Sequence, residues 1–146
     1  MAITSAICNS FKQEILEAEH NFTATTGNTF NLALYTSSAT LGASTTAYSS
    51  TNEITNSSGS AYSAKGKALT SVTPTLDSST AVCDFADVSW TSASFTANGC
   101  LIFNDSHSTD AAVCEVAFGG DKTVSSGTFT VQFPAAAATT AIIRIA

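Results

Sequence analysis

The sequence predicts a mainly β, single-domain protein: an antiparallel β-sandwich or barrel, jelly-roll-like, with one N-terminal amphipathic helix. Charged residues make up only 11% of the 146-residue chain, whereas an average soluble chain has about 25%. Ser and Thr take their place, and these residues favour strands and turns over helices. Short segments with an apolar-polar alternation also recur along the chain between turn-forming residues. This length suits one domain with a substantial core.

The N-terminal helix is predicted over residues 4–20, with Thr4 or Ser5 as its N-cap. Apolar side chains recur every four residues on one face, at Ile3, Ile7, Phe11 and Ile15. His20 is expected to end the helix, where a cation suits the negative end of the dipole. Two interpretations stay open: a lid over an open sheet edge, or an arm that reaches a neighbouring subunit.

From residue 30 the apolar period becomes two. Phe30, Leu32 and Leu34 alternate with less apolar neighbours, which predicts a strand that ends at the Ser37-Ser38 turn. Residues 37–66 then form a long Ser/Thr-rich region. A loop of this length is unusual in a compact domain. Either contact with another subunit orders it, or it contains a short hairpin and surface loops.

The remaining strands are predicted at residues 67–72, 81–85, 88–91, 95–103, 111–118, 128–133 and 141–145. Turn-forming segments separate them, at Pro74, Asp77-Ser-Ser, Asn104-Asp-Ser-His, Gly119-Gly-Asp and Ser125-Ser-Gly. The segment 119–122 lacks the pattern of a phosphate loop and is interpreted as a hairpin turn. Residues 135–138 are interpreted as a connection between strands.

Composition excludes several classes of function. A net charge of −6 and the lack of a basic cluster argue against a nucleic-acid partner. No apolar run approaches the ~18 residues of a membrane span, and the start of the chain does not resemble a signal peptide. We therefore expect synthesis in the cytoplasm and no membrane partner. Without C-x-x-C spacing, the four cysteines are predicted to be free, buried thiols, at Cys8, Cys83, Cys100 and Cys114.

Candidate chemical groups are sparse, so the sequence predicts no enzyme, no cofactor, and no catalytic or metal-binding residue. A Cys100, His107 and Asp110 nucleophile set, or a metal site with Asp105, lacks supporting spacing. Asp84, Asp87 and Asp121 do not form an Asp-rich calcium loop and are expected in turns. Trp90 is predicted to belong to the core, although Trp90, Tyr48 and Tyr62 would alternatively form a sugar-stacking platform.

Five motifs occur in order along nearly the whole chain: Phe30-Asn-Leu-Ala-Leu-Tyr-Thr-Ser37, Asp84-Phe-Ala-Asp-Val-Ser-Trp90, Gly99-Cys-Leu-Ile-Phe-Asn104, Phe118-Gly-Gly-Asp-Lys122 and Phe129-Thr-Val-Gln-Phe-Pro134. Together they resemble a family of small virion structural proteins of tailed bacteriophages. In size and β-rich character the chain is similar to capsid cement or decoration proteins. The resemblance implies a location on the capsid exterior, with the major capsid protein and further copies of the chain, as a dimer or trimer, as partners.

Two hypotheses follow. The first is a cement protein that clamps neighbouring capsomers, with the N-terminal helix and the 37–66 region as contact arms. Its candidate interface residues are Ile7, Phe11, Ile15, Tyr48, Ile54 and Tyr62. The second is a tail, baseplate or fibre component that recognises host glycans through exposed aromatic residues. An enzyme is the least favoured class, because acid and base groups are few.

Overall fold

The chain forms two antiparallel sheets and one short helix in the computed structural model, which describes residues 2–55 and 61–146. The elements are β1 (Ala6–Ile7), α1 (Asn9–Leu16), β2 (Phe30–Tyr35), β3 (Lys67–Ala68), β4 (Ser71–Asp77), β5 (Thr80–Phe85), β6 (Val88–Asn104), β7 (Ala111–Val131) and β8 (Ile143–Ile145). A five-stranded sheet has the order β1-β7-β6-β2-β3, and a three-stranded sheet has the order β4-β5-β8. The predicted fold class is confirmed in its sandwich form, with sheets that do not close.

The helix is shorter than predicted. It begins after Cys8, which supplies no side-chain cap, and neither Thr4 nor Ser5 is the N-cap. The residues before it are extended instead: Ala6 pairs with Glu115, and Ile7 pairs with Cys114. Pairing with the edge of β7 therefore overrides the four-residue apolar period at the start of the chain.

The largest correction concerns β6 and β7, which form one long hairpin where four strands were predicted. The turn at residues 105–110 was predicted correctly, but Gly119-Gly-Asp and Ser125-Ser-Gly lie inside β7. Between two adjacent registered pairs, β7 runs from 117 to 122 while β6 advances only from 99 to 97. Gly119 and Gly120 adopt φ values of 72° and 134° there. The glycines thus lie in a large bulge, where residues 118–121 of β7 oppose residue 98 of β6, rather than in a turn.

Pro74 was predicted to separate strands, but it lies within β4. β4 is an edge strand, and its register with β5 shifts between Val72 and Thr75. An edge position with a register shift tolerates proline because the missing N–H leaves no ladder bond broken.

The core lies between the sheets and continues beneath α1. β2 runs through its centre and is buried on both faces. An aromatic cluster fills the space between the sheets, where Phe22 stacks on Phe30 at a centroid distance of 4.2 Å and Phe85 lies against both rings. Phe11 of α1 contacts Phe22 edge to face. The helix therefore belongs to the core of its own chain.

Candidate interaction surface

Large exposed apolar side chains in the described part of the chain are concentrated on α1 and on the two edges of the three-stranded sheet. Leu16 of α1 is 87% exposed, Leu76 and Val72 of β4 are 73% and 45% exposed, and Ile145 of β8 is 57% exposed. Single exposed apolar residues are normal, whereas grouped ones indicate a contact surface. Leu76 and Ile145 both lie opposite Ala81 of β5, so these two flank the same position of the small sheet. We call these four residues the apolar rim.

A groove of about 540 Å³ runs between α1 and the three-stranded sheet. Its lining is mostly apolar and includes Phe11, Ile15, Phe22, Cys83, Ile143 and Ile145. Ile145 therefore belongs to both the groove and the apolar rim. The segment that follows α1 also lines the groove, through residues 18 and 20–23.

The six candidate interface residues lie at three locations: in the groove, beside β2 and β6, and in β1. Phe11, which is buried, and Ile15, which is half-buried, line the groove. Ile54 and Tyr62 are buried and Tyr48 is half-buried, and these three lie beside β2 and β6. Ile7 is half-buried in β1. Much of their apolar surface therefore packs within this chain, and their role in an interface stays a prediction.

Residues 56–60 of the predicted 37–66 region lie outside the described residues, and Glu53 links the described parts, 37–55 and 61–66, to the core. Its carboxyl group is buried and accepts a hydrogen bond from the Tyr62 hydroxyl at 2.7 Å and one from the Tyr48 hydroxyl at 2.6 Å. The Leu34 N–H of β2 donates to the Tyr62 oxygen at 2.9 Å. Burial, then the hydrogen bond to Glu53, raises the pKa of Tyr48 to about 12. Sequence reasoning missed this role of Glu53, whose signal was a carboxylate between two tyrosines in a segment with few charges.

Lys65 ties the same region to the β6–β7 turn. Its ammonium group lies 2.9 Å from an Asp105 carboxylate oxygen and 2.8 Å from one of Asp110. It also lies over the Tyr48 ring, 5.8 Å from the centroid. The hydrogen bonds with the two carboxylates raise the pKa of Lys65. The carboxylates of Asp105 and Asp110 therefore form ion pairs with Lys65.

The nucleophile and metal interpretations gain no support from the geometry. His107 contacts Thr109 at 3.0 Å and Glu19 at 3.3 Å, while Cys100 is buried in β6. Within residues 2–55 and 61–146, no three His, Cys, Asp or Glu side chains group in a way that would hold a metal ion.

His20 lies beyond the end of α1 and is buried, so it does not end the helix as the sequence predicted. Its Nε2 lies 2.8 Å from Glu14, and its Nδ1 lies 3.1 Å from the Asn104 amide nitrogen. An amide nitrogen only donates, so Nδ1 accepts this bond and Nε2–H donates to Glu14. His20 thus links the helix to the end of β6.

The aspartates proposed for calcium bind protein donors instead. Asp84 accepts a hydrogen bond from the Phe85 N–H, and Asp87 accepts one from the Phe133 N–H, both at 2.8 Å. Asp121 accepts one from the Asn98 amide at 2.9 Å. Their side chains are therefore engaged in local structure.

Trp90 is almost completely buried, as its core prediction required. Its ring lies 5.8 Å from the ring of Tyr62, which is buried as well. Two of the three aromatic residues considered for sugar stacking are thus enclosed by the protein.

The four cysteines are free and buried, as predicted. Burial raises the pKa of Cys83 and of Cys100 to about 12. It also raises the pKa of Cys8 and Cys114. Because the thiolate is the reactive form, these raised pKa values make the four thiols poor nucleophiles near neutral pH.

No helix within the described ranges is long and apolar enough to cross a membrane. Comparison with known proteins returns no matching family model, curated protein or solved structure.

Proposed function

We propose that this protein is a virion structural protein of a tailed bacteriophage, and specifically a cement protein that binds the outer surface of the major capsid protein lattice. The observation that carries the proposal in the structure is the apolar rim beside an open apolar groove. The rest of the described surface is dominated by Ser and Thr and carries few charges. Such a surface packs against a neighbour without desolvating many ions.

Charge supports the outer surface as the location. A chain with a net charge of −6 is repelled by packaged DNA, so the exterior of the shell suits it better than the interior. Many weak contacts on a repeating lattice add through multivalency. A modest apolar patch on each copy therefore suffices for stable decoration.

The first test is the copy number of this chain relative to the major capsid protein, by quantitative mass spectrometry of virions of the phage that encodes it. Hundreds of copies per particle are expected for lattice-wide decoration. About a dozen copies would instead assign the chain to the tail, baseplate or fibre. Absence from the particle would refute the virion role.

A further inference from the structure

The groove between α1 and the three-stranded sheet continues outward into the apolar rim. Residues directly opposite one another in an antiparallel pair lie on the same face of the sheet. Leu76 of β4 and Ile145 of β8 both lie opposite Ala81 of β5. Because Ala81 and Ile145 line the groove, Leu76 lies on the groove side of the sheet as well. The sheet wall of the groove therefore carries an apolar row across all three strands.

The helix wall of the groove is bordered by carboxylates. Ala18 lines the groove, and both of its neighbours in the chain are exposed glutamates, Glu17 and Glu19. The last turn of α1 contains no basic residue. Negative charge at the C-terminal end of a helix is unfavourable, because that end of the helix dipole is itself negative. A cation bound beside these glutamates would therefore relieve a repulsion that the free chain carries.

The described chain supplies no lysine or arginine to these two carboxylates. Glu17 accepts a hydrogen bond from the neutral Gln13 amide at 2.9 Å. Glu19 contacts His107 at 3.3 Å, and this histidine is charged only when protonated. Within residues 2–55 and 61–146, the ion pairs of lysine all involve Lys65 and the β6–β7 turn. The negative charge beside the groove is therefore available to an outside partner.

The two basic residues nearest to the groove in sequence bind elsewhere. Arg144 alternates along β8 with two isoleucines that line the groove, so its side chain lies on the other face of the sheet. There it donates to the Ala138 carbonyl at 3.0 Å. Lys12 donates to the Asn9 side chain at 3.1 Å, in the first turn of α1. The groove is thus apolar inside and acidic along its helix side.

We propose that this groove receives a segment of the major capsid protein that carries apolar side chains next to lysine or arginine. The apolar side chains fill the space of about 540 Å³, and the cations pair with Glu17 and Glu19. A second copy of this chain is a poorer occupant, because it has five lysine and arginine residues against eleven aspartate and glutamate residues. The inference rests on the proposed cement function and specifies the chemistry of its contact.

Charge at position 17 tests the cationic part of this partner. The Kd of the full chain for capsids that lack it should rise about 1.5- to 5-fold for Glu17→Gln at low salt, and further for Glu17→Lys. Both changes suit the helix dipole, so weaker binding cannot come from a lost helix. The measurement is a co-sedimentation titration. An unchanged Kd for Glu17→Lys would overturn the proposal.

Thr128→Lys is the matched control for this series. It makes the net charge one unit less negative, as Glu17→Gln does, but it changes an exposed residue of β7 in the other sheet. Its Kd should equal that of the native chain. Equal weakening by Thr128→Lys and Glu17→Gln would show a general attraction between the acidic chain and the capsid, and would overturn the local pairing.

A photo-cross-linker on the groove wall identifies the segment itself. Ala18→Cys places a thiol there at an exposed position, whereas the four native thiols are buried. Labelled with benzophenone-maleimide, this variant should capture one site on the major capsid protein, and labelled Thr128→Cys should not capture it. Capsids in which the lysine or arginine nearest to that site is changed to glutamate should then bind Glu17→Lys more tightly than the native chain.

The outcomes separate this inference from the cement function. Capture of the same site from position 128, or a charge exchange that does not restore binding, would overturn the groove as the site of contact while capsid binding stands. Capture of a second copy of the chain would assign the groove to self-association and likewise overturn the proposal. A native chain that binds no capsids would overturn the cement function, and this inference with it.

Discussion

At the scale of single residues, Glu115 places a carboxyl group in the core with one oxygen left without a hydrogen bond. Its carboxyl group is buried between β1 and β6, and Oε1 accepts a hydrogen bond from the Cys8 thiol at 3.2 Å. Oε2 has no hydrogen-bond partner within the described residues. Burial raises the pKa of Glu115 above its ordinary value. The folded protein therefore favours the protonated carboxyl, which needs less solvation.

We expect Glu115→Gln to make stability less dependent on pH. As pH rises above the ordinary carboxyl pKa, the unfolded chain releases the proton first, so this group lowers the free energy of unfolding until pH passes the folded pKa. Gln keeps the shape and an acceptor oxygen but carries no charge. The melting temperature of Glu115→Gln relative to the native chain should thus rise as pH increases above the ordinary carboxyl pKa of about 4. A constant difference as pH increases would mean that Glu115 does not titrate differently in the folded state.

The cysteines give a second prediction at this scale. Because burial keeps all four as thiols, the native protein should show almost no reaction with a thiol reagent such as DTNB near pH 8. Unfolding in guanidinium chloride should release four equivalents. One rapidly reacting thiol in the native state would show that a cysteine is accessible, and the alkylated position would identify it.

At the scale of elements, the hydrogen-bonded cluster of Tyr48, Glu53 and Tyr62 is one of the links between residues 37–55 and 61–66 and the core. Tyr62→Phe removes the donor to Glu53 and leaves the Leu34 N–H without its acceptor, at about 1–3 kcal/mol for each buried unsatisfied group. Tyr48→Phe is the matched control, because Tyr48 is half-buried and donates a single hydrogen bond to the same carboxylate. Urea unfolding should therefore show a larger loss for Tyr62→Phe than for Tyr48→Phe. Equal losses would indicate that the bond to Leu34 contributes little.

Sequence patterns predicted elements where local periodicity and tertiary pairing agree. β2 follows from its alternation, and the turn at residues 105–110 follows from its Asn and Asp residues. Gly119-Gly was misinterpreted because glycine permits both a turn and a bulge, and only the pairing of β7 with β6 distinguishes them. The apolar rim was harder to predict from sequence, because the exposure of Leu16 or Ile145 depends on which residues the fold places beside them. Phe11 and Tyr62 likewise have apolar patterns that do not distinguish an interface from a core.

At the scale of the whole molecule, the two sheets create contact surfaces of different kinds. The five-stranded sheet presents an edge of β7 that pairs with β1 only at Cys114 and Glu115 within the described chain. The three-stranded sheet and α1 present the apolar rim and its groove, which favour side-chain contact with an unlike surface. The two surfaces lie on different elements.

The apolar rim gives the prediction that separates binding from folding. Leu16→Ser combined with Leu76→Ser should change the free energy of unfolding by less than about 1 kcal/mol, because exposed substitutions usually cost within 0.5 kcal/mol each. Under the proposed cement function, binding to capsids that lack the protein should fall more steeply, since each lost contact is multiplied over linked copies on the lattice. Co-sedimentation with such capsids and a urea unfolding curve measure the two quantities, and Ser37→Ala, an exposed change at the turn after β2, is the matched control. Undiminished binding by the double variant would exclude the apolar rim as the capsid contact, while a parallel loss of stability would show that the two leucines support the fold.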